Sequence, residues 1–473
     1  MILVFLILIP LIAGLLAFAM SGNTARSVAL VGAAATAAVA GYTAISGKTE
    51  HFMAKWLPNL GATFTLHGDG MSKMLCLLTG IVMLVVMIAQ LDKEVEKPSA
   101  FYGLMMLSMT GLMAVFLAAD ALLFYFAWEV ALIPVYFLCS RWGGERRIPV
   151  TFKFFVYTFV GSLLMLSALI YIYLQTPNRS YAWADMMQAA KMINGNAQLW
   201  LFWLMFGAFA IKMPIFPFHT WQPDTYEQSP TPVTIILSAL MVKMGIYAVL
   251  RWLLPLIPAG SAYWSNTVIV LSVIGIVYAS LLAMVQTDLK RLIAYSSIAH
   301  MGLMSAAAFA GTTVGTHGLM VQMFNHGINI TGMWLIVQMI ENRYGTRDMS
   351  KLGGMASAAP KMAIALVIIA FANIALPLTN GFIGEFMLFH GLFQSASDYH
   401  ITFMVIAGLG IILGAVYTLT MVQRVAYGNQ VATTEEVKDL SVNEWIGIAV
   451  IIAVILALGV YPKPLLALTA IAG

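Results

Sequence analysis

Long apolar runs, separated by short polar interruptions, dominate this chain. A helix that crosses a bilayer needs roughly 20 apolar residues at about 1.5 Å of rise each. About fourteen stretches meet that length, near 1–20, 27–46, 70–91, 100–118, 121–140, 153–174, 198–222, 232–253, 265–285, 291–310, 314–340, 360–394, 402–427 and 442–462. The fourth and fifth nearly touch, with Asp120 between them. The twelfth is too long for one plain helix and holds Pro377, Asn380 and Gly381 in its middle, which predicts a broken span. Asn178–Asn196 is polar-rich with scattered apolar residues and predicts a loop carrying a short interfacial helix. Gly428–Glu444, with Glu435, Glu436, Lys438 and Asp439, predicts a solvated loop on the opposite side. The expected fold is an all-α polytopic membrane protein in one domain over 1–473.

Composition sharpens this. Charged residues make up 9% of the chain and hydrophobic residues 61%, whereas a soluble domain carries about 25% charged residues. So few charges could not cover so apolar a core in water. The first Lys or Arg is Arg26, so no basic leader precedes the first apolar run and a retained first span is expected. Cys76 and Cys139 both sit in apolar runs, and no cysteine cluster suggests zinc, an iron–sulfur centre or a disulfide framework. The net charge of +4 is scattered among loops, so nucleic acid is not an expected partner. No Walker sequence points to ATP as a driver.

Lys and Arg in the connections set an orientation. Arg141, Arg146, Arg147 and Lys153 follow the fifth span, and Arg343, Arg347, Lys351 and Lys361 follow the eleventh. Lys93, Lys97, Lys290, Arg291, Arg424 and Lys438 lie on the same side. The opposite side carries only Lys48, Lys55, Lys73, Arg179, Lys191, Arg251 and Lys463. Odd-numbered connections are therefore expected in the cytoplasm, with both termini outside.

Four charges lie where charges are expensive, at about 2.5–3.5 kcal/mol each near mid-bilayer on insertion scales. Glu129 stands among apolar residues between Trp128 and Pro134. A carboxylate held between burial and a nearby lysine can change protonation when its partner moves; the plainer alternative is a structural ion pair. Lys212 precedes Pro214 and Pro217, which remove backbone donors and break the helix. Broken helices at mid-depth expose carbonyls that need water or side chains, a recurring feature of transporters. Lys243 has no other charge near it until Arg251. For both lysines the alternative is a side chain that snorkels to the interface. Glu385 follows the break at Pro377, with capping of freed amides as its alternative role. His300 and His326 inside spans, and His219 at the end of the broken seventh span, offer relay stations near neutrality. Any one of them, His317 included, could equally be a satisfied polar core residue. No histidine spacing suggests a metal. Asp224 and Glu227, just past the seventh span, either cap the next helix or admit protons.

Three segments carry a resemblance: Lys212-Met-Pro-Ile-Phe-Pro-Phe-His-Thr-Trp-Gln-Pro-Asp224, Gln286-Thr-Asp-Leu-Lys-Arg-Leu-Ile-Ala-Tyr-Ser-Ser-Ile-Ala-His-Met-Gly302 and Gly381-Phe-Ile-Gly-Glu-Phe386. They resemble the antiporter-like chains of respiratory complex I, NADH–quinone oxidoreductase, over essentially the whole sequence. Glu at 385, where other branches of that family carry Lys, resembles the M-type branch, although Asp224–Val233 is worded more like the N-type. The resemblance implies two inverted five-helix repeats with discontinuous helices seven and twelve. Their expected limits are 1–95 for three leading helices, 100–253 and 265–427 for the repeats, and 442–473 for a last helix. It implies a Glu129–Lys212 pair, a central Lys243, central histidines His300 and His326, and a terminal Glu385. It implies proton translocation coupled to quinone reduction elsewhere: a translocase subunit without a redox site or cofactor of its own. NADH, FMN, iron–sulfur clusters and quinone would belong to other subunits, and the L-type and N-type membrane-arm chains would be partners. A multisubunit cation/proton antiporter or a membrane-bound hydrogenase is the first rival, and a structural spacer in the membrane arm the second. The expected location is the bacterial inner membrane.

Overall fold

The computed structural model describes residues 1–429 and 437–470, so Glu435 and Glu436 of the predicted solvated loop, and the last three residues of the expected final helix, lie outside it. Among the described residues, eleven helices are long and apolar enough to cross a membrane.

The chain begins with α1 (Ile2–Ala19) and α2 (Gly22–Ser46). A β-hairpin follows, β1 (Glu50–Leu57) paired antiparallel with β2 (Ala62–Gly68). The apolar-run reading passed over it, because strands this short carry no membrane-length signal. Its signature was local: alternating exposure along Glu50–Leu57 and a turn through Pro58-Asn-Leu-Gly61 in which Gly61 is left-handed. The backbone of Arg179 packs so closely on Gly61 that a Cβ there would sit 1.7 Å from its carbonyl oxygen.

Next come α3 (Gly70–Ala89), α4 (Pro98–Leu117), α5 (Ala121–Trp142) and α6 (Arg147–Gln175). Asp120, completely buried, caps α5 by accepting from Leu122 and Leu123 amides, and also accepts from the Thr63 amide and hydroxyl. One carboxylate thus starts α5 and ties the hairpin to it. The expected short helix is α7 (Trp183–Met192). The seventh span is broken, as α8 (Gly195–Lys212) and α9 (Gln222–Gln228).

The remaining helices are α10 (Thr231–Leu256), α11 (Pro258–Met284), α12 (Leu289–Phe309), α13 (Thr313–Tyr344), the broken pair α14 (Pro360–Asn373) and α15 (Asn380–Phe393), then α16 (His400–Tyr427), α17 (Val442–Val460) and α18 (Lys463–Thr469). The expected start of the ninth span at 265 is corrected to Pro258, since Pro at a first helical position is already set for the helix. α10 is almost wholly buried, whereas α1, α2, α6, α16 and α17 leave most of their surface to the outside. The buried helix therefore forms the axis, and the others insulate it.

α10 is not a plain α-helix. Two wide π turns, Ile236–Met241 and Val249–Leu253, interrupt it. The second has a cause in the sequence: Pro255 cannot donate to the Arg251 carbonyl, which accepts from Trp183 Nε1 at 3.3 Å instead.

Candidate functional site

Both breaks free backbone groups, and side chains take them up. In the first, Pro214 lacks an amide hydrogen, so the Ala210 carbonyl accepts from Ile215 N at 3.2 Å. That leaves the Ile211 carbonyl to accept from Trp221 Nε1 at 2.9 Å. Lys212 is the last residue of α8 and is buried. In the second break, Pro377 likewise cannot donate to the Asn373 carbonyl, which accepts from His300 Nε2 at 3.0 Å. Asn329 Nδ2 donates to the Ala372 carbonyl at 3.0 Å and Asn325 Nδ2 to that of Asn380 at 2.7 Å. Ala375 and Leu378 take left-handed backbone angles, at about 1–2 kcal/mol each. Gly381 is required here because a Cβ would lie 2.4 Å from the Ala372 carbonyl.

Lys243 lies at the middle of α10 with no exposed surface, so it does not snorkel. Its Nζ donates to the Ser238 carbonyl at 2.8 Å, inside the first π turn, and meets His326 Nδ1 at 2.7 Å. With Lys243 donating, His326 Nδ1 accepts and the ring hydrogen lies on Nε2, which has no partner. The His326 and His300 rings are 5.2 Å apart. His300 Nδ1 faces the Ser296 carbonyl at 2.8 Å, and Nε2 faces both the Asn373 carbonyl and Glu385 Oε1, the latter at 3.3 Å. Every one of these neighbours is an acceptor, so only the doubly protonated imidazolium satisfies both nitrogens. Glu385 lies inside α15, whose N-cap is Thr379; it does not cap the break but pairs with His300. Ser296 Oγ accepts from Asn373 Nδ2 and Tyr417 Oη, which braces this end. A cavity of about 30 Å³ lies against His300, Glu385 and Tyr417, large enough for a water.

The other half is different. Glu129 and Lys212 do not come within 4 Å of each other, although the Glu129 charge still acts on Lys212. The pair implied by the resemblance is open. Among the described residues, Lys212 Nζ and Glu129 Oε1 have no hydrogen-bond partner, and the ammonium stands 5.5 Å from the centre of the Trp128 ring. The aromatic face takes the place of a counter-charge. His219 is buried with Nδ1 unpartnered, packed against Phe216 and Tyr278. Among the described residues no hydrogen bond joins it to the other stations, so it lies outside the hydrogen-bonded line. His317 has no role in that line either.

Asp224 and Glu227 do not cap α10, whose start has no side-chain cap. They pair instead with Lys153 at 3.1 Å, with Arg291 at 3.1 and 2.8 Å and with Arg146 at 3.4 Å. Burial alone would raise the Asp224 carboxyl, but hydrogen bonds from Arg291 and Lys153 and their charges hold it below the ordinary carboxylate range. Sequence reasoning missed Ser238, Asn373, Tyr417 and Gln322, whose Nε2 donates to Glu385 Oε1 at 3.5 Å. Their types are ordinary and only the fold brings them to the charges.

A family model described as "NADH:quinone oxidoreductase/Mrp antiporter, TM" matches residues 118–413, a stretch that holds Glu129, Lys212, Lys243, Glu385, His219, His300 and His326. The chain belongs to this family. As a member of the NADH:quinone oxidoreductase/Mrp antiporter family, it is 39% identical over 427 residues to the NADH-quinone oxidoreductase subunit M of Rickettsia prowazekii, covering 89% of this chain and 85% of that one. It is 35% identical over 432 residues to the subunit M of Escherichia coli K12, covering 88% and 83%. Among solved structures it superposes on a chain of respiratory complex I from Thermus thermophilus with a TM-score of 0.91, 27% identity and full coverage of both. A chain of the Mrp complex from Dietzia shares the fold, with a TM-score of 0.85 at 24% identity over 99% of this chain and 51% of that one.

Proposed function

We propose that this chain is a proton-translocating membrane-arm subunit of an NADH:quinone oxidoreductase, working beside other antiporter-like subunits of the L and N types. Names of relatives at 35–39% identity and the match to a complex I chain support this over a free-standing antiporter. The physical support is the line Lys243–His326–His300–Glu385, with steps of 2.7 Å, 5.2 Å between rings and 3.3 Å. A structural spacer has no need of four titratable groups in register inside the membrane, where each is costly. The chain supplies no flavin, cluster or quinone site in this reading; those belong to partner subunits.

In this scheme the His300–Glu385 pair first releases a proton outward, which leaves one His300 nitrogen free to accept. Lys243 then gives its proton to His326 Nδ1, His326 passes its Nε2 hydrogen to that nitrogen, and Lys243 is recharged from the cytoplasm. Glu129 and Lys212 act as a gate. At 4 Å the pair would attract by about 4 kcal/mol in all at an effective dielectric of 20, and the open arrangement withholds part of that. The breaks at Lys212 and Glu385 fall in the fourth helix of each expected repeat, which supports repeats over 100–253 and 265–427 after leading helices in 1–95 and before a last helix in 442–473. The face bearing Arg146, Arg147, Arg347 and Lys351 is assigned to the cytoplasm of a bacterial inner membrane, with both termini outside.

The test is Lys243→Ala in the assembled complex, reconstituted in vesicles, with protons moved per electron as the readout. The ratio is expected to drop by this subunit's share. An unchanged ratio sinks the reading in favour of the spacer.

A further inference from the structure

Lys243 has a donor side toward His326, but the scheme above names no residues that recharge it. The end of α10 nearest the basic face opens on a cleft of about 450 Å³, bordered by Ser229, Thr231, Lys290, Glu341 and Arg347. Glu341 is more exposed than either of the two cations that share it, Lys290 at 3.4 Å and Arg347 at 3.5 Å. Arg347 is held in turn by Asp288 at 3.1 Å. Lys290, by contrast, is nearly buried, and its Nζ reaches inward to the Ser229 carbonyl at 3.4 Å. The carboxylate therefore faces the water, and the lysine behind it leads into the helix layer.

From Ser229 the polar groups continue. Thr234 Oγ1 lies 3.4 Å from the same Ser229 carbonyl, and Ser238 is one turn further along α10. The Ser238 carbonyl holds Lys243 Nζ. Both hydroxyl residues are completely buried. Most buried helix threonines here, such as Thr36, Thr79 and Thr331, spend their hydroxyl on the carbonyl four residues back. Thr234 also does so, but Ser238 does not: its Oγ has no partner among the described residues. In α9, which packs on the start of α10, the Tyr226 hydroxyl and the Gln222 amide also find no hydrogen bond of good geometry among the described residues. Buried hydroxyls without partners call for water. Stations one turn apart, roughly 6 Å, suit single bridging waters.

We infer that the Glu341–Lys290 cleft and the Ser229–Thr234–Ser238 edge of α10 form the intake by which protons from the basic face reach Lys243. This rests on the proton-translocating reading above. Glu341 collects a proton from cleft water. Waters and the two hydroxyls hand it on, each taking one proton as it gives one, and neutral Lys243 Nζ receives it after giving its own to His326. One proton enters for each that leaves, and no other co-reactant is consumed.

The experiment compares Thr234→Val, Ser238→Ala and Lys243→Ala in the reconstituted complex by protons moved per electron. Thr234→Val and Ser238→Ala together are expected to lose the same share of pumping as Lys243→Ala, and Thr234→Ser to restore what Thr234→Val loses. Full pumping in the double variant alongside a loss in Lys243→Ala overturns the intake and leaves the proposed function standing. A normal ratio in Lys243→Ala overturns the proposed function itself. Equal impairment by Thr234→Ser and Thr234→Val makes the hydroxyl structural and also overturns the intake. Should the double variant fail to assemble, Thr234→Cys in sealed vesicles decides, since native Cys76 and Cys139 are both buried. A small charged thiol reagent is expected to modify it from the basic face, and the absence of modification overturns the proposal.

Discussion

The two helix breaks carry the same kind of feature and treat it in opposite ways. At the second, the charges are bound: Glu385 pairs with His300, and His300 is fully satisfied by Ser296, Asn373 and Glu385. At the first, Lys212 and Glu129 are buried or half-buried, near each other, and unbonded. Breaking the helix is thus not what fixes a charge. In the second break a freed carbonyl, that of Asn373, meets a histidine from another helix. In the first, the freed carbonyl of Ile211 is taken by Trp221, and the lysine is left with the face of the Trp128 ring alone. One site holds its charged groups in bonds and the other leaves them unbonded.

The largest expected contrast is in stability. Glu385→Ala leaves the His300 cation without its counter-charge, and breaking a buried pair costs about 3–5 kcal/mol. Lys212→Met removes an ammonium that makes no hydrogen bond and should leave the chain at least as stable, while lowering pumping. Thermal release of the chain from the purified complex measures both. A Lys212→Met variant that melts below Glu385→Ala would break the comparison.

A smaller effect is expected at Trp128. Trp128→Leu removes the aromatic face under Lys212, worth about 0.5–2 kcal/mol, and Trp128→Phe should recover part of it. If pumping rates in the two variants match, the ring does not hold the open lysine.

The smallest effect concerns the backbone after the first break. The folded Asp224 carboxyl titrates below its unfolded value of about 3.9. Its contribution is therefore present above that value and is lost as pH falls through the folded one. The unfolding midpoint should stay flat in this respect from pH 7 to about 5 and fall below about 4. Asp224→Asn should remove that acid-dependent part. A midpoint unaffected by the substitution at every pH would show that α9 is not anchored by this carboxylate.

The sequence exposed what depends on run length and on proline. The apolar runs located the spanning helices, and Pro214, Pro217 and Pro377 located both breaks, because proline acts on its own backbone. The line Lys243–His326–His300–Glu385 was legible as residues but not as a line, since its links cross from α10 to α13 to α12 to α15. The open state of Glu129 and Lys212 was not legible at all. Proximity within a family pattern does not fix a separation of a few ångströms between helices. The hairpin escaped because its alternating strands are short beside the apolar runs. Asp224 and Glu227 were placed on the right end but not with their partners, which come from α6 and α12.

The π turn at Ile236–Met241 has a consequence for how this chain tolerates change in length. Such a turn holds one residue more than an α turn. Deleting a single residue within it would let the helix close into regular α form with its two halves facing much as before, whereas the same deletion in an ordinary turn would rotate one half against the other by about 100°. Tolerance of a shorter chain is thus concentrated at this turn. A deletion in the α turn that follows Lys243 should cost far more pumping than a deletion inside the π turn.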